Sequence, residues 1–329
     1  MKLEIRPLAH THDTILVHNV AYAGGRTAIR KGTILGEKQI KLLETLGHKE
    51  LQVAVLEQDD IAENEAAARL SATFRSPLIK IGKPAGGRLS FRATQLSLLN
   101  VDAARLLALN MLPGVTLATR NQHSVLAEST QTADFATLKI IPYAIPQATI
   151  DAALNIICQG EPLLHLRPIP VNKQVALLLT GEPAVHTKLR DDFKIPIETR
   201  LNRLQADLAT IETVPIDVNR VREASKRLTE SHDLLIVAGQ TSIMDIDDTT
   251  PRGLTEAGAT ITVYGAPVEP GNLLTLAYFP GTPVMCAPGC ARSLAMNIVD
   301  MLLPRLLLGD RLEQQDIAQY GLGGYLKTR

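Results

Sequence analysis

The residues that follow the apolar run 283–287 are of types suited to binding an anion. They are Pro288, Gly289, Cys290, Ala291, Arg292 and Ser293, and a helical pattern comes next in the chain. This order predicts a strand, a Pro-Gly turn and the start of a helix. A helix start has free N–H groups, an arginine adds a fixed charge, and a glycine lets a ligand approach the backbone, so we expect a phosphate here. An ordinary strand-to-helix connection with a chance arginine is the alternative.

Polar residues also follow three other predicted strands in the C-terminal half. One set offers donors for a phosphate and consists of Thr180, Gly181, Gly239, Gln240, Thr241 and Ser242. A second set offers carboxylate oxygens and consists of Glu182, Asp217, Asp245, Asp247 and Asp248. Carboxylates suit a hard cation such as magnesium, whereas helix capping is the alternative role for the aspartates 217, 247 and 248. Together the two sets predict a site for a phosphorylated small molecule held with a divalent ion.

The elements that would position these residues alternate between strand and helix. Strands are predicted at 175–179, 210–214, 234–237 and 260–264, and a helix at 249–257. Two further helices are predicted from apolar stripes, which are Ile197, Leu201, Leu204 and Leu208 in the first and Val218, Val221, Ala224 and Leu228 in the second. This alternation predicts a three-layer α/β domain with a mostly parallel sheet, in which ligands bind beyond the carboxyl ends of the strands.

The rest of the sequence indicates two smaller N-terminal domains and a C-terminal tail. Residues 1–80 indicate a small α+β domain, in which Asp60 and Glu63 form a capping-box-like start for a helix over 62–71. Residues 81–168 indicate an irregular, β-rich domain. The α/β domain is expected over 169–310, and 311–329 is expected to be a C-terminal tail.

Composition excludes several classes of protein. The 329 residues carry a net charge of zero, only 3% are aromatic and none is tryptophan, which argues against a nucleic-acid surface. Three cysteines do not make a disulfide framework. The N-terminus lacks the apolar core of a signal peptide, and no apolar run reaches the length of a membrane span. We therefore expect a cytoplasmic protein with no nucleic-acid or membrane partner.

Residues from about 171 to 308 resemble the molybdopterin-binding domain of molybdenum-cofactor biosynthesis proteins. The matching landmarks occur in the family's order, at 180–182, 214–217, 234–239, 247–251, 268–272 and 287–289. Residues 138–146 and 321–324 resemble a bacterial molybdopterin-binding subgroup. Two landmarks depart from the pattern, because Ala238 replaces the first glycine of a Gly-Gly pair and Glu182-Pro183 replaces Asp-Glu. Binding therefore carries over from the resemblance better than catalysis does.

The resemblance implies that the chain binds molybdopterin, or its nucleotide form, in cofactor biosynthesis or handling. It implies catalytic roles for Glu182, Asp217 and Asp248, and metal binding by Asp245, Asp247 and Asp248 with magnesium as the metal. Whether the chain is an enzyme stays open, with nucleotidyl transfer or metal insertion as the steps. A metal-dependent ADP-ribose pyrophosphatase of the competence-damage type and a non-enzymatic carrier are the alternatives. A homo-oligomer is expected, with a nucleotidyltransferase or molybdoenzyme as a further partner.

Overall fold

The computed structural model describes residues 1–127 and 134–326, and the chain divides into two compact units, Met1–Pro168 and Ile169–Arg329. The first unit contains mainly antiparallel strands. Its strands are β1 (Lys2–Pro7), β2 (Ile15–Leu16), β3 (Val20–Ala21), β4 (Thr27–Ile29), β5 (Glu50–Val55), β6 (Asp60–Ala62), β7 (Ile79–Ile81), β8 (Arg88–Ala93), β9 (Ser97–Val101), β10 (Val115–Thr119), β11 (Val125–Leu126), β12 (Asp134–Ile140), β13 (Ala144–Pro146) and β14 (Leu164–Pro168). Its helices are α1 (Glu37–Thr45), α2 (Glu63–Ser71), α3 (Ala103–Asn110) and α4 (Gln147–Ile157), with short 3-10 turns at Leu8–His10 and Ala72–Phe74.

The largest sheet of the first unit has the strand order β10-β12-β8-β7, and smaller sheets have the orders β1-β5-β2 and β11-β9-β14. The rings of Phe74, Phe91 and Phe135 lie in a core between the four-stranded sheet and the helices. The prediction of a β-rich N-terminal part is thus confirmed. The expected division of this part near residue 80 stays a prediction, as does the boundary of the tail near residue 310.

The predicted capping box of α2 is wrong. The residue that precedes the helix is Ala62, and no side chain caps the helix start. Asp60 lies in β6, where its Oδ2 accepts a hydrogen bond of 2.8 Å from the Glu57 N–H and lies 2.6 Å from the N-terminal ammonium group. A long-range ion pair with the chain terminus, which local spacing does not reveal, determines the position of this carboxylate.

The second unit is built on one six-stranded sheet. Its strands are β15 (Gln174–Thr180), β16 (Asp207–Val214), β17 (Leu234–Gly239), β18 (Thr260–Tyr264), β19 (Thr275–Phe279) and β20 (Thr282–Cys286). Its helices are α5 (His186–Arg203), α6 (Val218–Thr229), α7 (Thr249–Glu256), α8 (Ile298–Leu307) and α9 (Gln314–Ala318), with 3-10 turns at Pro183–Val185, Gly289–Arg292 and Gln319–Gly321. None of the helices in the described ranges is long and apolar enough to cross a membrane.

The strand order of this sheet is β16-β15-β17-β20-β19-β18. Strands β16, β15, β17 and β20 run parallel, β19 pairs antiparallel with β20, and β18 pairs antiparallel with β19 at the edge of the sheet. Residues Ala176 and Leu178 pack with α6 and α7 on one face, and their neighbours Val175 and Leu177 are equally buried. Because both faces of β15 are covered, the prediction of a mostly parallel sheet inside an α/β domain is confirmed.

Two predicted helix boundaries in this unit are wrong. Helix α5 ends at Arg203, and Gln205 turns the chain with a φ of 56°, so Leu208 belongs to β16 although its spacing continues the helical stripe. No α-helix starts at the Pro-Gly turn, because 289–292 is a single 3-10 turn. Helix α8 begins only at Ile298, where the buried Asn297 Oδ1 accepts a hydrogen bond of 3.0 Å from the Val299 N–H.

Candidate functional site

The loops that follow β15 and β17 are joined at the carboxyl end of the sheet. The Gln240 N–H donates to the Thr180 carbonyl oxygen at 2.8 Å, and the Glu182 N–H donates to Gln240 Oε1 at 3.0 Å. Adjacent parallel strands end at one edge of a sheet, which is why these distant residues meet. Thr180, Gly181, Gly239 and Gln240 are therefore brought together as predicted, with Gln240 acting as a bridge between the two loops.

A run of backbone donors in the β17 loop is free of protein partners. Within the described ranges, the N–H groups of Thr241, Ser242 and Ile243 have no hydrogen-bond acceptor. The Ser242 hydroxyl oxygen accepts a hydrogen bond of 3.2 Å from the Gly289 N–H, which links this loop to the one after β20. Consecutive unpaired N–H groups are suited to an anion, because each of them lacks an acceptor that a phosphate oxygen supplies.

The two loops have glycines at positions 239 and 289 for different reasons. A Cβ atom on Gly239 would lie 2.6 Å from Thr180 Oγ1, so the packing of the two loops requires a glycine at this position. A Cβ atom on Gly289 would meet only Ser242 Oγ, at an ordinary 3.4 Å, and the φ of this residue is not positive. Neither packing nor backbone conformation accounts for Gly289. The open space beside it is available to a ligand.

Arg292 belongs to the support of the β17 loop. Its Nη2 donates to the carbonyl oxygens of Gly239 at 2.9 Å and Gln240 at 3.4 Å, and its guanidinium lies 4.9 Å from the centroid of the Phe193 ring. Its Nε is buried and has no hydrogen-bond partner among the described residues. The expectation that Arg292 is a cation at a helix start is wrong, because α8 begins six residues later and the guanidinium has acceptors within the protein.

A second arginine, Arg200 of α5, supports the loop after β20. It is only 3% exposed, and its guanidinium pairs with Asp300 through Nε at 3.0 Å and Nη2 at 3.1 Å. It also donates to the carbonyl oxygens of Ala291, Ser293 and Ala295. The sequence analysis missed this residue. The available signal was its position on the apolar stripe of α5, where a charged residue must have buried partners.

The remaining residues of the β20 loop are braced by their own backbone and by Asn297. The Cys290 carbonyl oxygen accepts from Asn297 Nδ2 at 3.2 Å and from the Ser293 N–H at 3.0 Å, and the Pro288 carbonyl oxygen accepts from the Ala291 N–H. Burial raises the pKa of the Cys290 thiol, so this sulfur is held in its neutral form. These contacts give 288–293 a fixed shape, which places Gly289 against the β17 loop.

His186, which the sequence analysis also missed, fixes the loop after β15. Its Nε2 lies 2.8 Å from the Gly181 carbonyl oxygen, so this nitrogen carries a hydrogen and donates it. A carbonyl oxygen can only accept, which determines the role of the ring nitrogen. No motif of the sequence points to His186, because its partner is determined by the turn at Glu182–Val185 rather than by spacing.

The predicted acidic residues do not converge. Asp217 is the N-cap of α6, with its Oδ1 accepting a hydrogen bond of 3.0 Å from the Arg220 N–H, as in its capping alternative. Asp248 precedes α7 without capping it, because its Oδ2 accepts from the Met244 and Asp245 N–H groups at 2.8 and 3.1 Å. Asp245 Oδ1 accepts from the Asp247 N–H at 2.8 Å. These carboxylates stabilise the backbone of the loop 244–248.

The arrangement of these carboxylates does not fit a protein-bound divalent ion. Hard cations take several oxygen ligands at once, yet the described ranges contain no group of three or more His, Cys, Asp or Glu residues that could hold a metal. Asp245 and Asp248 each direct one oxygen at backbone N–H groups instead. We therefore assign no metal to Asp245, Asp247 or Asp248.

With this geometry in view, the second unit can be placed in a family. Residues 176–307 match the family model of molybdenum-cofactor biosynthesis proteins that is described as a probable molybdopterin binding domain. The match includes all four strand-end loops of the site, so this part of the chain is similar to the domain that the family model describes. It supports a role in molybdenum-cofactor biosynthesis. A comparison with curated proteins finds no match.

Several solved structures are similar to the chain in part or in most of its length. A CinA protein of unknown function from Thermoplasma acidophilum is 13% identical, with 41% of this chain and 99% of that one covered, at a TM-score of 0.35. A molybdopterin biosynthesis MoeA protein from Pyrococcus horikoshii is 13% identical over 94% of this chain and 75% of that one, at a TM-score of 0.33. The molybdopterin biosynthesis enzyme MoaB from Thermus thermophilus is 18% identical over 42% and 98%, at a TM-score of 0.34.

Proposed function

We propose that the second unit binds molybdopterin, or its nucleotide form, at the carboxyl end of its parallel sheet. The observation that carries this proposal is the run of free N–H groups at Thr241, Ser242 and Ile243, inside the segment that matches a molybdopterin-binding family. A phosphate of the ligand accepts hydrogen bonds from these groups. Charge-assisted bonds of this kind are the stronger class of hydrogen bond.

The space beside Gly289 receives the adjoining part of the ligand. Gly289 bears no side chain, so the ligand lies against its backbone, beside the contact with Ser242, without displacing protein atoms. The carboxylates of Glu182 and Asp247 are exposed and have no hydrogen-bond partner within the described ranges. They accept hydrogen bonds from the amino and ring N–H groups of a pterin, which are donors that the phosphate loop cannot satisfy.

Binding is the activity that these contacts support. Arg292, Arg200 and Gln240 hold the loops in a preformed shape, which lowers the entropic cost of binding. Nothing in the geometry of Asp217 or Asp248 favours a transfer step, because the assigned contacts of both carboxylates are to backbone N–H groups. The expected cytoplasmic location, the homo-oligomer and the protein partner stay predictions.

Native mass spectrometry of the full chain tests the proposal. Protein purified from a host that makes molybdopterin is expected to carry a mass corresponding to the pterin, and protein from a host that cannot make it is expected to carry none. Ser242→Pro, which removes one of the free N–H groups, should reduce the bound fraction, provided that circular dichroism shows a folded protein. Equal masses from both hosts would reject molybdopterin binding. Hydrolysis of ADP-ribose by the same preparation with magnesium would favour the pyrophosphatase alternative.

A further inference from the structure

The first unit contains a cavity of about 670 Å³ that the proposed function does not use. It lies between the C-terminal part of α2 and the edge strand β7. Apolar atoms of Ala68, Ala72, Ile79 and Ile81 form much of its wall. Its volume is within the range of sites that bind small organic molecules.

The charged residues of this cavity all have the same sign. Arg75 and Lys83 are the charged residues of its lining, and no acidic residue occurs in the sequence from 75 to 101. Neither side chain has an ion pair or hydrogen bond with any residue that the structure describes. Two nearby arginines differ, because Arg69 pairs with Glu65 and Arg92 pairs with Asp134.

An ordinary structural role accounts for only one of the two cations. Arg75 follows the turn Ala72–Phe74 at the end of α2, where a positive charge is favourable to a helix dipole. Lys83 lies in the connection between β7 and β8, which contains no helix. A cavity lined by one sign of charge concentrates ions of the opposite sign, and the net charge of the whole chain is zero. The local excess of positive charge is thus a property of this cavity.

We propose that this cavity binds a small organic anion. An apolar or aromatic body lies against Ala68, Ala72 and the isoleucines of β7. A carboxylate, sulfonate or phosphate group accepts hydrogen bonds from Arg75 and Lys83. This site is separate from the strand-end loops of the second unit, so it does not depend on the molybdopterin proposal.

The absence of tryptophan from the chain allows a local optical test. Thr73→Trp, at an exposed residue next to the cavity, introduces a single indole as a reporter. Titration of the full chain with anilinonaphthalene sulfonate, which joins an aromatic body to an anionic group, is expected to quench the indole emission with saturation. Adding Arg75→Gln and Lys83→Gln should weaken the apparent affinity about tenfold or more, on the scale of lost charged hydrogen bonds.

Lys80→Gln is the matched control. Lys80 lies in β7 between the two isoleucines but does not line the cavity, so its loss should change the affinity less than about twofold. Inorganic phosphate should compete only weakly, because it lacks the apolar body. Equal affinities in the parent and the Arg75/Lys83 variant would overturn the proposal, as would an equal loss in Lys80→Gln. Competition by phosphate as strong as that of the organic anion would reduce the site to a simple anion site and reject the apolar contact.

Discussion

The Nη2 atom of Arg292 donates a hydrogen bond of 2.9 Å to the carbonyl oxygen of Gly239. This bond connects the loop after β20 to the loop after β17, which are separated by 53 positions in the chain. The same guanidinium rests on the Phe193 ring of α5. Arg292 therefore determines the position of the backbone that would receive a phosphate, rather than offering its own charge to it.

Arg292→Ala is expected to destabilise the protein by about 2 kcal/mol, because it removes a charged hydrogen bond and a cation–π contact. Ligand affinity should fall as well, since Gly239 and Gln240 lose their support. Thermal melts and calorimetric titration with a phosphorylated pterin measure the two effects. A variant as stable as the parent that has lost ligand binding would instead assign the charge of Arg292 to the ligand.

Arg200→Met should be more costly, at about 3–5 kcal/mol, because it leaves Asp300 Oδ1 and the carbonyl oxygens of Ala291 and Ser293 without their donor. Arg203→Met is the matched control, because Arg203 lies in the same helix and is exposed. Its effect should stay within about 0.5 kcal/mol. Urea unfolding of both variants makes the comparison, and similar midpoints would contradict a bracing role for Arg200.

Gly289→Ala and Gly239→Ala should have different effects, the first on ligand affinity and the second on the stability of the fold. The first adds a methyl group in open space, so the melting temperature should be unchanged while ligand affinity falls. The second places a methyl group 2.6 Å from Thr180 Oγ1, so the fold itself should be destabilised. Melting curves with and without ligand separate the two. Normal ligand affinity in Gly289→Ala would show that the ligand does not occupy the space beside this residue.

Asp248→Ala should loosen the loop 244–248, at a cost of about 1–3 kcal/mol, because two backbone N–H groups lose their acceptor. Asp248→Asn retains an acceptor oxygen and should cost less. Asp247→Ala should have little effect on stability, since its carboxylate has no hydrogen-bond partner among the described residues. Chemical denaturation ranks the three variants. Loss of magnesium-dependent ligand binding in Asp248→Asn, with stability intact, would restore a metal role to this residue.

Asp233 should contribute stability that depends on pH. Burial raises the pKa of this carboxyl, but hydrogen bonds from Lys173 Nζ and the Gln174 N–H outweigh burial, so the pKa lies below its ordinary value of 3.8. A carboxyl with a lowered pKa in the folded state stabilises the fold above its ordinary pKa, and this contribution is lost as pH falls through the folded value. Asp233→Asn should therefore be less stable than the parent at neutral pH, with the difference shrinking below about pH 4. Urea unfolding of both proteins across this pH range measures the difference, and a difference that does not change with pH would contradict this role of Asp233.

Much of the order of strands and helices in the second unit follows from the sequence alone, although strand β19 and helix α9 were not predicted. Apolar runs and stripes at 175–179, 218–228, 234–237 and 260–264 predict elements that the structure contains, because buried strands and amphipathic helices have distinct periods. The meeting of Thr180 and Gln240 also follows, since the carboxyl ends of parallel strands share one edge. The local sequence pattern predicted the wrong end for α5, at Leu208, and the wrong start for α8. A turn at Gln205 and the N-cap at Asn297 determine these two helix boundaries.

Only the tertiary structure decided which polar groups of the site are free to bind. The sequence places Arg292, Asp217 and Asp248 at the strand ends as equal candidates, but each has a hydrogen-bond partner within the protein. The physical reason is that a donor or acceptor is available to a ligand only when no other segment of the chain satisfies it. Those segments are often distant in sequence, as Arg200 and Asp300 are, so their proximity depends on the fold as a whole.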